Sequence, residues 1–407
     1  MLATLWAPAA CMYKVRFTDL AAIWVLAVAA FLSGAALRIC DSLIPRIAND
    51  FGVTPGTAGR VIVTFSIAYG AMQLVFGPLG DRFGKARIVS FALVGGAVAA
   101  LVASAARSFD TLVAARVVWG MAAGGIIPLS LAWVGDAVPY ERRQATLAKL
   151  LTGILSGMMG GQLAGGLFAD AGAGWRGAFL VMAAGYALVA ILLFARMRHL
   201  AAAAPQAPAS RLPDQMRAVL SNRWSYWVLL SALAEGVVLL GPMAYLPAYL
   251  HTRFGIAISA AAAMVALNAA GGLAYALTAR HILARFGERR MVQAGGCLMG
   301  AGFAAWWLAP AAWLAAPTAL MVGFGTYLYH NTLQTHATQM APSARGTAVG
   351  MFAFCLFTGQ AAGVSLAGVA FDHAGPAALL VPPMLLLPLA GWAFARGLKR
   401  RAAHAQA

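Results

Sequence analysis

The sequence predicts an all-α integral membrane protein: twelve transmembrane helices in two pseudo-symmetric six-helix bundles. Composition, apolar segments and an internal repeat predict it. Of 407 residues, 62% are hydrophobic and only 10% charged, against about 25% charged in a soluble domain. A helix needs about 20 apolar residues to cross the hydrocarbon core, and twelve such stretches can be counted. Arg82-Phe83-Gly84 recurs as Arg285-Phe286-Gly287, an offset of 203 residues (84 to 287) and about half the chain. At the same offset Pro139 matches Pro342, Arg142 matches Arg345, Ala145 matches Ala348, and Leu163-Ala164-Gly165 matches Leu366-Ala367-Gly368. A duplicated six-helix unit follows. Its second copy is eroded, with Ala284 in the place of Asp81 and Glu288 in that of Lys85.

The first six spans are expected over Leu20–Ile44, Ala58–Phe76, Ile88–Ala106, Leu112–Val134, Leu147–Phe168 and Gly177–Phe194. The second six are expected over Trp224–Leu246, Ile258–His281, Met291–Leu308, Trp313–Gln334, Ala348–Phe371 and Ala377–Ala395. Many are rich in Gly and Ala, which lets helix backbones approach closely in lipid. Spans 3, 6, 9 and 12 are almost wholly apolar or small and should face lipid. The other eight carry the interior polar residues, the pattern of a lined cavity. The division is then a leader (1–19), a first bundle (20–196), a polar linker (197–223), a second bundle (224–396) and a basic tail (397–407).

Charge sets the orientation. The formal net charge is +17, and one set of loops holds most of it: Arg82, Lys85, Arg87, Arg142, Arg143, the linker arginines, Arg285, Arg289, Arg290 and the tail. The opposite side holds only Arg46, Arg60, Arg107, Arg176 and Arg253. Under the positive-inside rule both termini are cytoplasmic. The surplus is therefore a topology signal, and no nucleic-acid partner is expected. The four cysteines, Cys11, Cys40, Cys297 and Cys355, are scattered; they read as packing residues, without disulfides, metal or cofactor. Met1 to Cys11 lacks the basic start of a signal peptide; it reads as a leader, with Met12 as the alternative start. The Trp306-Trp307 pair and Trp313 read as interface anchors.

One turn packs unusual charge between two spans: Gly77-Pro78-Leu79-Gly80-Asp81-Arg82-Phe83-Gly84-Lys85-Ala86-Arg87. Such charge belongs at a membrane surface. Gly-x-x-Gly-Asp-Arg-x-Gly-Lys-x-Arg resembles the cytoplasmic loop 2–3 signature of the major facilitator superfamily. Three further stretches resemble motifs of its twelve-helix drug/proton antiporter branch. They are Gly34-x6-Asp41-x3-Pro45, Arg116-x3-Gly120-x3-Gly124, and Gly153-x3-Gly157-x3-Gly161 followed by Gln162 where that branch has proline. The resemblance implies alternating access and a cytoplasmic gate built from Gly80, Asp81, Arg82, Gly84 and Lys85. Asp81 is expected to oppose the start of helix 11, with Asp136 a partner for Arg82.

Asp41 and Arg116 each lie about four residues, roughly 6 Å, inside their span, and Arg38 is one turn deeper than Asp41. An ion pair or triad is expected, either a proton-responsive switch or a static bridge. Glu235, the one acid deep in the second half, is expensive to bury and reads as a proton or substrate site, or else as a neutral core acid. Tyr69, Gln73, Asn268, His330, Asn331, Gln334 and Gln360 are cavity candidates, each equally an interhelical hydrogen-bond partner. The reading is a monomeric secondary transporter of a small organic solute in a bacterial-type inner membrane, with proton-coupled efflux as the resemblance implies. The alternatives are uptake of a small, possibly anionic, solute and a non-transporting sensor. No nucleophile or paired metal ligands suggest an enzyme.

Overall fold

The computed structural model describes residues 17–197 and 211–406. Leader residues 1–16, with the two candidate starts, and linker residues 198–210 lie outside the described residues, while 17–19 begin α1. Among the described residues there is no β-strand. The main helices are α1 (Phe17–Arg38), α2 (Arg60–Phe83), α3 (Lys85–Ser104), α4 (Phe109–Ala137), α5 (Tyr140–Asp170) and α6 (Gly174–Met197). The second set is α7 (Arg223–Phe254), α8 (258–286), α9 (288–308), α10 (Ala315–Ala337), α11 (Arg345–Val369) and α12 (Gly375–Gln406).

Eight helical stretches are long and apolar enough to cross a membrane. Two of them, Ile258–Leu308 and Pro342–Ala403, run for 51 and 62 residues, more than twice the length that about 30 Å of hydrocarbon requires. Both are broken. Gly287 interrupts the first at φ 67°, and the second passes through a π-turn at Ala370–Ala374 to Gly375 at φ 76°. The breaks turn the eight stretches into ten segments; α1, whose apolar part is the shorter Ala22–Arg38, and α10 complete the helices named above. Gly84 makes the matching break between α2 and α3 at φ 92°. The two copies of Arg-Phe-Gly thus form the same reversal, at a φ that residues with a Cβ avoid.

The repeat extends to packing. α1 lies against α5 through a ladder of glycines: a Cβ on Gly153, Gly157, Gly161 or Gly165 would sit within 2.6 Å of the carbonyl oxygen of Ala27, Phe31, Ala35 or Ile39 respectively. α7 and α11 repeat the arrangement, with Gly236 against Leu356 and with Gly359 and Gly363 against Leu233 and Val237. Apolar burial gains little inside lipid, so close backbone packing has to hold such helices together. The two sets meet where Gly166 of α5 packs on Ala262 of α8 and Gly70 of α2 on Phe357 of α11. Large apolar side chains point outward from α3, α6 and α12, including Phe91, Val98, Ile191, Leu188 and Leu389.

Several boundaries differ from expectation. α1 stops at Arg38, and a turn leads into a short helix, Ile44–Phe51, with Pro45 in its first turn. α7 continues to Phe254 through a π-turn at Gly236–Leu240. The expected tail continues α12 as helix to Gln406. Trp306 is an anchor by sequence but is fully buried, its indole N–H donating to Ala315 O at 3.5 Å; Trp313 is exposed as expected.

Candidate functional site

Two acid–base pairs, each with a buried carboxylate, lie one in each half. In the first, Arg38 Nη1 donates to Asp41 Oδ2 at 3.2 Å, and Asp41 is 1% exposed. Where α1 ends and the chain turns, Asp41 faces inward beside Ser42, whose hydroxyl donates to Gln162 O at 3.1 Å; Gln162 Nε2 donates back at 3.0 Å. The glutamine that stands in place of proline therefore ties α5 to this turn. In the second pair, His330 Nδ1 on α10 lies 3.0 and 3.1 Å from the two carboxylate oxygens of Glu235. Glu235 immediately precedes the π-turn of α7, a distortion frequent at functional sites. Glu235, the one acid deep in the second half by sequence, and the cavity candidate His330 are partners.

A cavity of about 30 Å³ lies between the halves, lined by Arg38 and Asp41 of α1, Gln162 of α5, Met243 of α7, Asn268 of α8 and Tyr327 of α10, among others. Two lining atoms have no hydrogen-bond partner, Asp41 Oδ1 and Asn268 Nδ2. Buried polar atoms without partners are costly, and here an acceptor and a donor face one space. That space is about one water in volume, so a solute enters only when the halves separate. The Tyr327 ring, 6.3 Å from that of His330, stands between the two pairs.

Arg116 does not complete a triad. Its Nε donates to Val61 O at 3.1 Å and its Nη2 to Ala36 O at 3.3 Å, while the guanidinium stacks 3.9 Å over Phe65 and 4.8 Å over Trp119. Two carbonyls and two rings from α1, α2 and α4 hold Nε and Nη2 and cover the faces of the guanidinium, Nη1 has no partner among the described residues, and Asp41 is paired by Arg38 instead. Tyr69 meets Ser33 Oγ at 3.5 Å, bonds to Gln73 and packs on Phe357 at 4.7 Å across the halves. Gln360 is buried on α11. Asn331 bonds to Tyr275 and, with Gln334, lines a wider cavity of about 440 Å³ between α8, α9, α10 and α11.

At the Asp81 end, Lys85 takes the role expected of Arg82. It bonds to Asp136 and, at 3.0 Å, to Asp81, while Arg82 lies over its neighbour Phe83 at 5.1 Å. Gly84 separates the two bases: Arg82 ends α2, whereas Lys85 starts α3 beside the end of α4. Gly80 allows the turn to seat, since a Cβ there would lie 2.4 Å from Leu129 Cδ2. In the second half Glu288 stands where Lys85 does, and it accepts from His336 Nε2 at 3.0 Å. The apparent erosion is a reversal of sign with the contact kept.

The opposite end is closed by two carboxylates that the sequence reading missed. Asp170, ending α5, accepts from the backbone N–H groups of Ile258 (3.2 Å) and Ser259 (2.8 Å) at the start of α8. Asp372, following α11, accepts from Gly56 N at 2.9 Å, in the turn that leads into α2. Each half thus supplies one acid to a helix start of the other, where unpaired N–H groups favour an anion. The available signal was an acid about one turn after each copy of Leu-Ala-Gly.

A sequence profile described as the Major Facilitator Superfamily matches residues 26–364. The MFS-type transporter YceJ of Bacillus subtilis (strain 168) is 21% identical over 350 residues, 86% of this chain and 89% of its own. Multidrug resistance protein D of Escherichia coli (strain K12) is 30% identical over 216 residues, 52% of each chain. The chloramphenicol resistance protein of Streptomyces lividans is 31% identical over 166 residues, 40% of this chain and 41% of that one. Among solved structures, nucleoside transporter NupG superposes with a TM-score of 0.75 at 15% identity, over 93% of this chain and 98% of that one. The D-xylose-proton symporter gives 0.72 at 13%, over 92% and 96%. Profile, helical repeat and superposition agree: the chain belongs to the major facilitator superfamily, as a multi-pass membrane transporter rather than an enzyme.

Proposed function

We propose that this transporter exports a small organic solute by alternating access, driven by protons. The observation that carries the reading is the pair of buried carboxylates, Asp41 and Glu235, one in each half and both around Tyr327. Asp41 keeps one oxygen on Arg38 and turns the other, unpartnered, to the cavity. A proton or a solute donor satisfies that oxygen, so the two ligands compete for one place, which is the requirement of exchange transport. Glu235, held by His330, is the second proton position. Arg116 then serves as scaffold between α1, α2 and α4. Tyr69, Gln73, Asn268, Asn331 and Gln360 supply polar contacts when the cavity opens.

Alternation follows from the two ends. The Asp170 and Asp372 contacts close one end; at the other, the Lys85 and Glu288 contacts are each made within one half. In this reading the bundles are residues 20–196 and 224–396, joined by the linker 197–223, and they rock against each other as units. The Lys/Arg bias places the Asp81 end and both termini in the cytoplasm of a bacterial-type inner membrane, where the protein works as a monomer. The efflux direction rests on the antiporter-like motifs and on relatives named for drug resistance.

The test is purified protein in proteoliposomes with an imposed pH gradient and a panel of drugs, sugars and organic acids, assayed in both directions. Gradient-dependent movement of a solute against the proton flow supports the reading. Movement with the proton flow replaces efflux by uptake, and no gradient-dependent movement of any panel member refutes it.

A further inference from the structure

At the Asp81 end of the second half, α9, α10 and α12 line a wide, open pocket of about 490 Å³. Its polar walls are Glu288 and Arg289 from the start of α9, the His336 imidazole from the end of α10, and Lys399 and Arg401 from α12. Three are cations and one is a carboxylate, and that carboxylate is engaged by His336 Nε2 at 3.0 Å. Arg401 Nη1 donates to His336 Nδ1 at 2.9 Å and its guanidinium stacks 4.9 Å over Trp224. The back wall is therefore fixed by side-chain bonds. Neither Arg289 nor Lys399 has an ion-pair partner among the described residues. Cations from helices about 110 residues apart in sequence (289 to 399) converge on one concave space, with Leu398 and Ala402 as its apolar edge.

Like charges gathered around a cavity are unfavourable unless an anion joins them, and a polar wall with an apolar rim suits an amphiphile at the membrane boundary. We propose that this pocket binds a phosphate-bearing anion, with Arg289 and Lys399 as its mobile contacts and Arg401 as its fixed one. The position, where α12 leaves the span, places an anionic phospholipid headgroup within reach. A free phosphate offers the same chemistry.

The experiment uses the full chain in nanodiscs of phosphatidylcholine containing a minority of phosphatidylglycerol, with retained lipid measured by native mass spectrometry. Wild type should retain phosphatidylglycerol preferentially. Arg289→Gln with Lys399→Gln should reduce that preference on the order of 30-fold, taking about 1 kcal/mol for each basic residue at a membrane surface. Both side chains are exposed, so an unchanged melting temperature for the double variant checks its fold. A second arm titrates inorganic phosphate into protein in phosphatidylcholine alone. Stabilisation by phosphate at low millimolar concentration that the double variant loses supports the site with a free anion as occupant. Equal lipid retention in both proteins, together with no response to phosphate, overturns the proposal.

Discussion

Neutralising the two carboxylates at the Asp170 end should open that end. Asp170→Asn and Asp372→Asn keep an acceptor oxygen in place and remove the charge. A hydrogen bond to a charged group contributes about 1.5–3 kcal/mol and a neutral one about 0.5–1.5; the dipole of a helix start adds about 0.3–1 kcal/mol for an anion. Asp170 makes two such bonds but is exposed, and Asp372 makes one while half-buried, so solvent screening brings both to about 1 kcal/mol. The double variant then loses about 2 kcal/mol of closure, roughly a 30-fold shift in the ratio of closed to open protein. Spin labels on cysteines at Gly172 and Ala257, at the facing ends of α5 and α8, report this distance by pulsed electron resonance in a background without the native cysteines. The expected result is a longer-distance population in the double variant, partial in either single one. Superimposable distributions in wild type and double variant, with unchanged transport, would refute the tie.

Three other outcomes follow from the geometry. Glu235→Gln should fold and lose gradient-driven transport, whereas His330→Ala leaves Glu235 buried without its partner and should cost about 1–3 kcal/mol, read as a lowered melting temperature that adding Glu235→Gln restores without restoring transport. Arg116→Lys should destabilise by about 2 kcal/mol through lost carbonyl bonds and stacking, and a double-mutant cycle with Asp41→Asn should give a coupling below about 0.5 kcal/mol; a coupling several times larger would return Arg116 to the Asp41 site. Gly157→Ala places a Cβ 2.1 Å from Phe31 O and should cost about 1–3 kcal/mol or more by overpacking, while Gly77→Ala, with nothing within 4 Å, should leave the melting temperature unchanged.

What could be read from sequence divides along a physical line. Apolar length and the offset repeat can be read without knowing any partner, and they marked the helical, membrane-length character of the chain and the matched turns at Gly84 and Gly287. The charged turn was legible as a surface structure because charge of that density has no place in lipid. Partners were not legible. Glu235 and His330 stand 95 residues apart, Asp372 and Gly56 316 apart, and no periodicity in a single chain encodes such meetings. Arg116 shows the same limit from the other side: its acceptors are backbone carbonyls, which every residue has, so nothing marks Val61 and Ala36 as its partners. The end of α1 was overestimated because the apolar run continues through Ile39 and Leu43, while the backbone turns to bring Asp41 inward.

The crossed carboxylates have the geometry of an isologous dimer. In such an assembly each subunit offers the same group to the same receptor on the other, and two-fold symmetry closes the contact. Here both subunits are in one polypeptide, yet Asp170 on the start of α8 and Asp372 on the turn into α2 still obey that rule. Fusion releases the two copies from identity, because each half is now free to change without changing the other. The Asp81 end shows the result: Lys85 with Asp136 in one half, Glu288 with His336 in the other. One face of the molecule has kept its inherited symmetry, and the other has used the freedom to invert a charge.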